Sequence, residues 1–392
     1  MLQKLNIGLV LPAVSGHSET FIKNKINGLL EHGYKVSLYV GGNVNSNKIH
    51  ESIPIYYQVD VNNKFHLLFT LITTFILHPL TCIRFFNLEK LSHGSGTKAV
   101  KNLIINSHII RRPLDWIHFE FATMGIYREN VAKAMGIKSA VSLRGFDIGL
   151  YPHEHPGCYN LLWKKIDRVH TISDDLYQKA VKIGLDTKTL CTKITPAINT
   201  EFFKSNSIKN LHNPLRILTV GRLTWKKGYE YALKALSLLK NKQINFEYHI
   251  VGEGNHREAI IYAIHKLGLT EDVKLRGQLS HQKVKQEMKW AEIYIQPSIQ
   301  EGFCNAVLEA QAMGLLCIVT NAEGLSENVL DGKTGWVVPK RSSEAITEQI
   351  IKIKNMEMLQ YNKIRENAIV RVKDHFYLNE QIQNWSDFYK YD

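Results

Sequence analysis

The sequence predicts an α/β protein made of two doubly wound parallel sheets of Rossmann type. Three observations carry that. Short apolar runs alternate with helix-compatible stretches from end to end, the pattern of strands joined by crossover helices. The alternation comes in two series of similar length with a polar segment between them. The chain has 392 residues, more than one hydrophobic core usually serves.

In the first series Leu5–Pro12 reads as a buried strand, Thr20–His32 as an amphipathic helix and Lys35–Val40 as the next strand. Trp116–Phe119, Ser139–Leu143 and Arg168–Ile172 follow, each with a helix-compatible segment behind it. The polar stretch Asn199–Pro214, rich in Asn, Lys and Ser, reads as the linker. Leu215–Val220, Phe246–Val251, Val273–Leu275, Glu292–Gln296, Leu316–Thr320 and Trp336–Val338 form the second series. The expected division is therefore residues 1–198, residues 199–372 and a terminal helix over 373–392. Ser343–Lys354 is helical, and Trp385, Phe388 and Tyr389 have the spacing of one docking face on the last helix.

Apolar content of 44% and charged content of 22% are those of a soluble globular protein. Cysteines 82, 158, 191, 304 and 317 are scattered and form no Cys-x-x-Cys pair, which argues against a disulfide framework and a structural zinc site. A reducing cytoplasm is the expected compartment, and no signal peptide is expected from the first residues. Net charge is +13, with 23 Lys/Arg against 14 Asp/Glu in residues 1–196. A basic half implies an anionic partner, unless the charge serves only solubility. Nucleic acid is set aside, because no recognition motif and no dense basic run interleaved with aromatics appears. A phospholipid surface or a lipid pyrophosphate remains. Leu67–Leu77 is apolar throughout apart from its threonines, yet falls short of the ~20 residues a span needs. Two readings are open for it: a buried helix, or an interfacial one edged by Lys64, Arg84 and Lys90.

The segment Glu301-Gly-Phe-Cys-Asn-Ala-Val-Leu-Glu309 sets two carboxylates eight positions apart, with a small-residue turn leading into a helix. Gly302 allows close backbone approach, and the free N–H groups of that helix start suit an anionic or polar ligand. The strand Leu215–Val220 ends at Gly221, and the loop behind it carries Arg222, Lys226 and Lys227 before Gly228. Ligands of open α/β sheets sit beyond such strand ends, and Arg222 can grip a phosphate bidentately.

These segments resemble the retaining glycosyltransferase family four, whose signature is Glu-x7-Glu. Gly221–Gly228 resembles that family's donor-phosphate loop. Val251–Gly254, Leu275–Ser280 and Gly332–Trp336 resemble its later signposts, and Ser18–Ile22 and Asp167–Ser173 match its first half more loosely. The likeness covers nearly the whole chain, most closely from Arg216 to Pro339. It implies the GT-B fold: two Rossmann-like domains facing a central cleft, with a C-terminal helix crossing back to the N-terminal domain. It implies transfer of a sugar from a nucleotide-sugar donor, expected to be UDP-linked, to a glycan or lipid-linked acceptor with retention. Bacterial surface polysaccharide assembly is the setting it suggests, with peripheral contact between the basic half and an anionic membrane.

By the same resemblance Arg222 and Lys227 hold the donor diphosphate, Glu301 the donor sugar near its reacting end, and Glu309 the ribose hydroxyls. The backbone of Gly302, Phe303, Cys304 and Asn305 would meet sugar hydroxyls or the distal phosphate. Gly252 and Gly254 allow close approach near the nucleotide, Gln278 and Leu279 lie beside the base, and Gly16 is in the loop near phosphates and acceptor. No cofactor and no metal is expected: the family usually works without one, no Asp-x-Asp pair exists, and Asp174-Asp175 reads as helix capping after Ser173. Cys304 has no dedicated base beside it and reads as a packed small residue. His118 is the first of two alternating histidines in the family, Glu120 standing at the second; cleft and core are both open for it. Arg144 stands where many relatives have a histidine that contacts the donor sugar. It cannot accept a proton, which excludes a base role. Either it lines the cleft and meets a phosphate or carboxylate, or it pairs with Asp147 or Glu120 and braces the loop. Two rivals are weighed. A phosphorylase on this fold needs a pyridoxal-phosphate lysine in a recognisable context, and none is found. A non-catalytic binding module would not need Arg222, Lys227, Glu301 and Glu309 together.

Overall fold

The computed structural model describes residues 5–12, 20–41, 53–60, 62–205 and 210–390. The chain divides into two compact units, Met1–Ile194 with Ile382–Asp392, and Thr195–Gln381.

Among the described residues the first unit holds seven parallel strands: β1 (Asn6–Leu11), β2 (Lys35–Val40), β3 (Ile55–Tyr57), β4 (Trp116–Phe119), β5 (Lys138–Leu143), β6 (Arg168–Thr171) and β7 (Leu190–Lys193), in the order β3-β2-β1-β4-β5-β6-β7. The second holds six: β8 (Leu215–Val220), β9 (Phe246–Val251), β10 (Val273–Gly277), β11 (Ile293–Gln296), β12 (Leu316–Thr320) and β13 (Trp336–Val338), in the order β10-β9-β8-β11-β12-β13. The central strands are buried along nearly their whole length, because helices cover both faces of a parallel sheet. Each sheet grows outward from its first strand and then resumes on that strand's other side. The chain therefore reverses direction between β1 and β4 and between β8 and β11, which puts the switch points of the two sheets there.

Differences from the sequence reading lie at edges and boundaries. The edge strands β3 and β7 have three and four residues, half-exposed, too short for a periodicity to show. Between β3 and β4 the chain forms three consecutive helices, Lys64–Leu77, Pro79–His93 and Gly96–Ile110. The passage between units falls at Ile194/Thr195 rather than after 198, because Ile198 N donates to Phe376 O at 3.1 Å and ties that stretch to the second unit. The helix Met358–His375 runs past 372 and keeps Ala368 and Val372 in the second unit. The chain returns to the first unit only at Ile382, within the helix Leu378–Tyr389. Trp385, Phe388 and Tyr389 are buried there against Ile7, Leu9 and Trp116.

Candidate functional site

The loops after β8 and β11 flank the switch point of the second sheet. Two glycines let the loops close up. Gly228 has φ 64°, and a Cβ on it would stand 2.2 Å from Pro297 O; Gly252 has φ 142°, and its Cβ would stand 2.0 Å from Gly221 O. A side chain at either position collides with backbone, so only glycine fits. Gly254 packs in the same way on the backbone of Leu223. The closeness that Gly252 and Gly254 permit here is between protein loops.

Beneath these loops runs a chain of buried hydroxyls and amides. Tyr229 OH donates to Gly221 O at 2.8 Å, Tyr294 OH shares its one proton between Val220 O at 3.1 Å and Gln296 Oε1 at 2.9 Å, and Gln296 Nε2 donates to Ser298 Oγ at 2.8 Å. Ser298 Oγ then donates to Glu301 Oε2 at 3.2 Å, and Lys227 Nζ pairs with the same oxygen. Lys227 and Glu301 are only 13% and 15% exposed. Burial alone would lower the Lys227 pKa, but the Glu301 carboxylate outweighs it and holds the ammonium above its ordinary range. Glu301 is fixed from behind as well, its N–H donating to Glu323 Oε2 at 2.7 Å. Glu323 adopts φ 47°, a strained backbone for a glutamate.

The helix Asn305–Ala312 starts at Cys304, whose N–H donates to Asn328 Oδ1 at 3.0 Å. The N–H groups of Gly302, Phe303 and Asn305 donate to no protein acceptor among the described residues. Such amides at a helix start favour an anion. Cys304 is buried, and burial pushes its thiol up to about 11, which leaves no thiolate for nucleophilic work. Glu309 is half-buried, its carboxyl has no hydrogen-bond partner among the described residues, and burial pushes that carboxyl up to about 8. Arg222 is exposed, and its guanidinium likewise has no described partner. The structure therefore gathers Arg222, Lys227, Glu301 and the amides behind it at one switch point, with Glu309 on the helix that starts there. Gln278 and Leu279 follow β10, the sheet's edge, two strands from β8. Gly16 lies outside the described residues.

In the first unit His118 lies in the core and Arg144 is held by Glu120. His118 is wholly buried beneath the returning helix. Tyr389 OH lies 2.6 Å from its Nδ1 and Ser142 Oγ 2.8 Å from its Nε2; Ser142 Oγ also lies 2.8 Å from His170 Nδ1, and His170 Nε2 lies 3.0 Å from Ile194 O. The carbonyl can only accept, so His170 carries its proton on Nε2. Ser142 then donates to His170, His118 donates to Ser142, and Tyr389 donates to His118. Burial holds both imidazoles well below their usual range, hence neutral. Of the two places open to it, His118 takes the core, wholly buried, and a catalytic role needs a side chain that substrate can touch.

Arg144 is the brace. Its Nη2 meets Glu120 Oε2 at 2.5 Å, its Nε donates to Glu120 O at 3.0 Å, and its guanidinium lies 3.9 Å over the Phe21 ring. Lys25 Nζ meets the other Glu120 oxygen at 2.5 Å, and its ammonium stacks 3.8 Å from the Trp385 ring. Burial would raise the Glu120 carboxyl, but Lys25 and Arg144 overcome it and hold it at about 2. A carboxylate depressed below its unfolded value contributes stability above pH ~4.5 that is lost as pH falls through ~2. Arg144→Ala leaves half of that compensation, and breaking a buried pair costs about 3–5 kcal/mol. Urea denaturation is expected to show that loss, with Arg144→Lys between the two; an unchanged midpoint for Arg144→Ala would remove the brace.

One group among the described residues is close enough to gather an ion, Glu89, His93 and Glu129 in the first unit. Lys98 Nζ stands 3.2 Å from His93 Nδ1, which favours a proton on Nε2, facing Glu89 at 3.6 Å. Sequence reasoning missed Ser298, Glu323 and Asn328, which aim Glu301 and the helix start. Their position just beyond the ends of β11 and β12 was the available signal.

The family model described as "Glycosyl transferases group 1" matches residues 200–371. The amylovoran biosynthesis glycosyltransferase AmsK of Erwinia amylovora is 26% identical over 366 residues, 87% of this chain and 88% of that protein. The putative colanic acid biosynthesis glycosyltransferase WcaL of Escherichia coli K12 is 27% identical over 63% of this chain and 62% of its own length. The structure of Anabaena Alr3699/HepE in complex with UDP and glucose superposes with a TM-score of 0.73 over 98% of both chains at 14% identity, a likeness of fold.

Proposed function

We propose that this chain, which has the GT-B fold, is a glycosyltransferase of the group 1 family that transfers one sugar from a UDP-linked donor to a glycan or lipid-linked acceptor, with retention, in the assembly of a surface polysaccharide. The observation that carries the reading is the set of groups left open around the Lys227–Glu301 pair: the Arg222 guanidinium, the amides of Gly302, Phe303 and Asn305, and the Glu309 carboxyl.

Breaking a glycosyl–phosphate bond leaves a nucleoside diphosphate gaining negative charge while the sugar becomes oxocarbenium-like. Arg222 and Lys227 meet that charge from a loop fixed by Gly228 and the buried hydroxyls, so little reorganisation is needed. When the diphosphate draws Lys227 away, Glu301 keeps Ser298 and is freed to accept from a sugar hydroxyl. Glu309 accepts from the ribose. These cations do the electrostatic work, and the reading includes no metal and no cofactor. The UDP assignment follows the Anabaena protein, and the polysaccharide setting follows the amylovoran and colanic acid relatives. The reading sets the reaction at the inner face of a membrane, where a lipid-linked acceptor is presented.

A thermal-shift panel of nucleotide sugars tests this. A UDP-sugar at 100 times its Kd stabilises by about 2.7 kcal/mol, and GDP- and ADP-sugars are expected to give less. If no nucleotide sugar moves the melting temperature, the donor site is misassigned. The anomeric configuration of the first-formed product, read by NMR, decides retention.

A further inference from the structure

The helix Lys64–Leu77 is polar inside and apolar outside, the reverse of a surface helix. Its buried residues are Thr70 and Thr74. Arg111 holds them from below, donating from Nε to Thr74 Oγ1 at 2.8 Å and from Nη2 to Thr70 O at 2.7 Å. On the outer face Phe65 is 88% exposed, Phe69 66% and Ile76 70%. The next helix, Pro79–His93, meets it at a bend of 114° and adds exposed Leu80 and Ile83. Single exposed apolar residues are ordinary, but a contiguous face of this size marks a docking surface.

Charge selects the occupant. Lys64, Arg84 and Lys90 are exposed around the apolar face. The only carboxylate from Lys64 to His93 is Glu89, which is buried and bonded by Asn102 at 2.6 Å and Asn130 at 2.8 Å. Toward solvent the two helices thus present apolar side chains and cations with no anion between them, the pattern of a helix lying in an anionic lipid interface. No single described helix is long and apolar enough to cross a membrane. At 14 residues Lys64–Leu77 is about 21 Å long, short of the ~30 Å hydrocarbon core, and the bend turns the chain away from a span.

We propose that the outer face of Lys64–Leu77, with the start of Pro79–His93, inserts into the interface of an anionic bilayer and holds the first unit against it. This deepens the reading of a membrane-presented acceptor and rests on it for its purpose, though not for its test. The full-length protein is floated with vesicles of phosphatidylcholine alone and with phosphatidylglycerol added. Binding is expected only to the anionic vesicles. The triple variant Lys64→Glu/Arg84→Glu/Lys90→Glu is expected to bind on the order of a hundredfold more weakly. Phe65→Ser/Phe69→Ser/Ile76→Ser, whose side chains are mostly exposed, is expected to keep its melting temperature and lose the vesicles. Equal binding to both lipids, binding to neither, or undiminished binding by the serine variant overturns the proposal. So does a dimer in solution that the serine variant converts to monomer, because the face then belongs to a second copy. The nucleotide-sugar thermal shift is run beside it: loss of that shift with vesicle binding intact refutes the donor site alone, and the converse refutes docking alone.

Discussion

Lys227→Ala is expected to lower kcat by about 10²–10³-fold with a smaller effect on donor affinity, the usual result of removing one preorganised contact to developing charge. The ammonium sits in a nearly buried pair with Glu301, and that pairing holds it charged across the working pH range. Its worth is greatest when the leaving diphosphate gains charge, so the loss falls on the chemical step. Glu301→Gln separates the two partners. It frees Lys227 for the phosphate, keeps the hydrogen bond from Ser298, and weakens only the acceptance of a sugar hydroxyl. That variant is therefore expected to lose more in KM than Lys227→Ala does. Initial rates at saturating donor, with melting temperatures to confirm folding, decide it. A Lys227→Ala enzyme with wild-type kcat would mean that the lysine only positions Glu301.

The Lys227–Glu301 site was legible because both residues follow apolar strands at short range, and the ends of parallel strands are where ligands sit. The glycines were legible as turn formers, yet their purpose was not. Gly252 answers to Gly221 O and Gly228 to Pro297 O, and those neighbours come from other strands. His118 was undecidable for a related reason. β4 is buried on both faces, so alternation carries no information about which residues meet solvent. Lys25 was invisible: it sits in a helix that reads as ordinary and amphipathic, and its partner Glu120 is 95 positions away. The same holds for Thr70 and Thr74. Periodicity shows that a helix has two faces; only Arg111, packed beneath, makes the threonine face the inner one.

Glu309 supplies the second large effect, a proton release on donor binding. Burial without a polar partner holds its carboxyl at about 8 in the unliganded protein, so it is largely protonated at neutral pH. The native state then binds more protons than the unfolded chain between pH ~4.5 and ~8, and this residue's contribution to stability falls as pH rises through that window. Glu309→Gln removes the dependence, so its melting temperature relative to wild type is expected to climb with pH. Ribose hydroxyls donate to the carboxylate and favour the charged form. Binding UDP-glucose, whose phosphates do not titrate in this range, is therefore expected to expel a proton. Affinity should rise by up to about tenfold per pH unit until the free carboxyl has ionised near pH 8. Calorimetry in two buffers of different ionisation enthalpy counts that proton directly. Glu309→Gln should lose the proton release together with about 1.5–3 kcal/mol of binding, the range for a hydrogen bond to a charged group. Wild-type affinity that does not vary with pH, or a glutamine variant that binds as tightly as wild type at pH 8, would take Glu309 out of the nucleotide site.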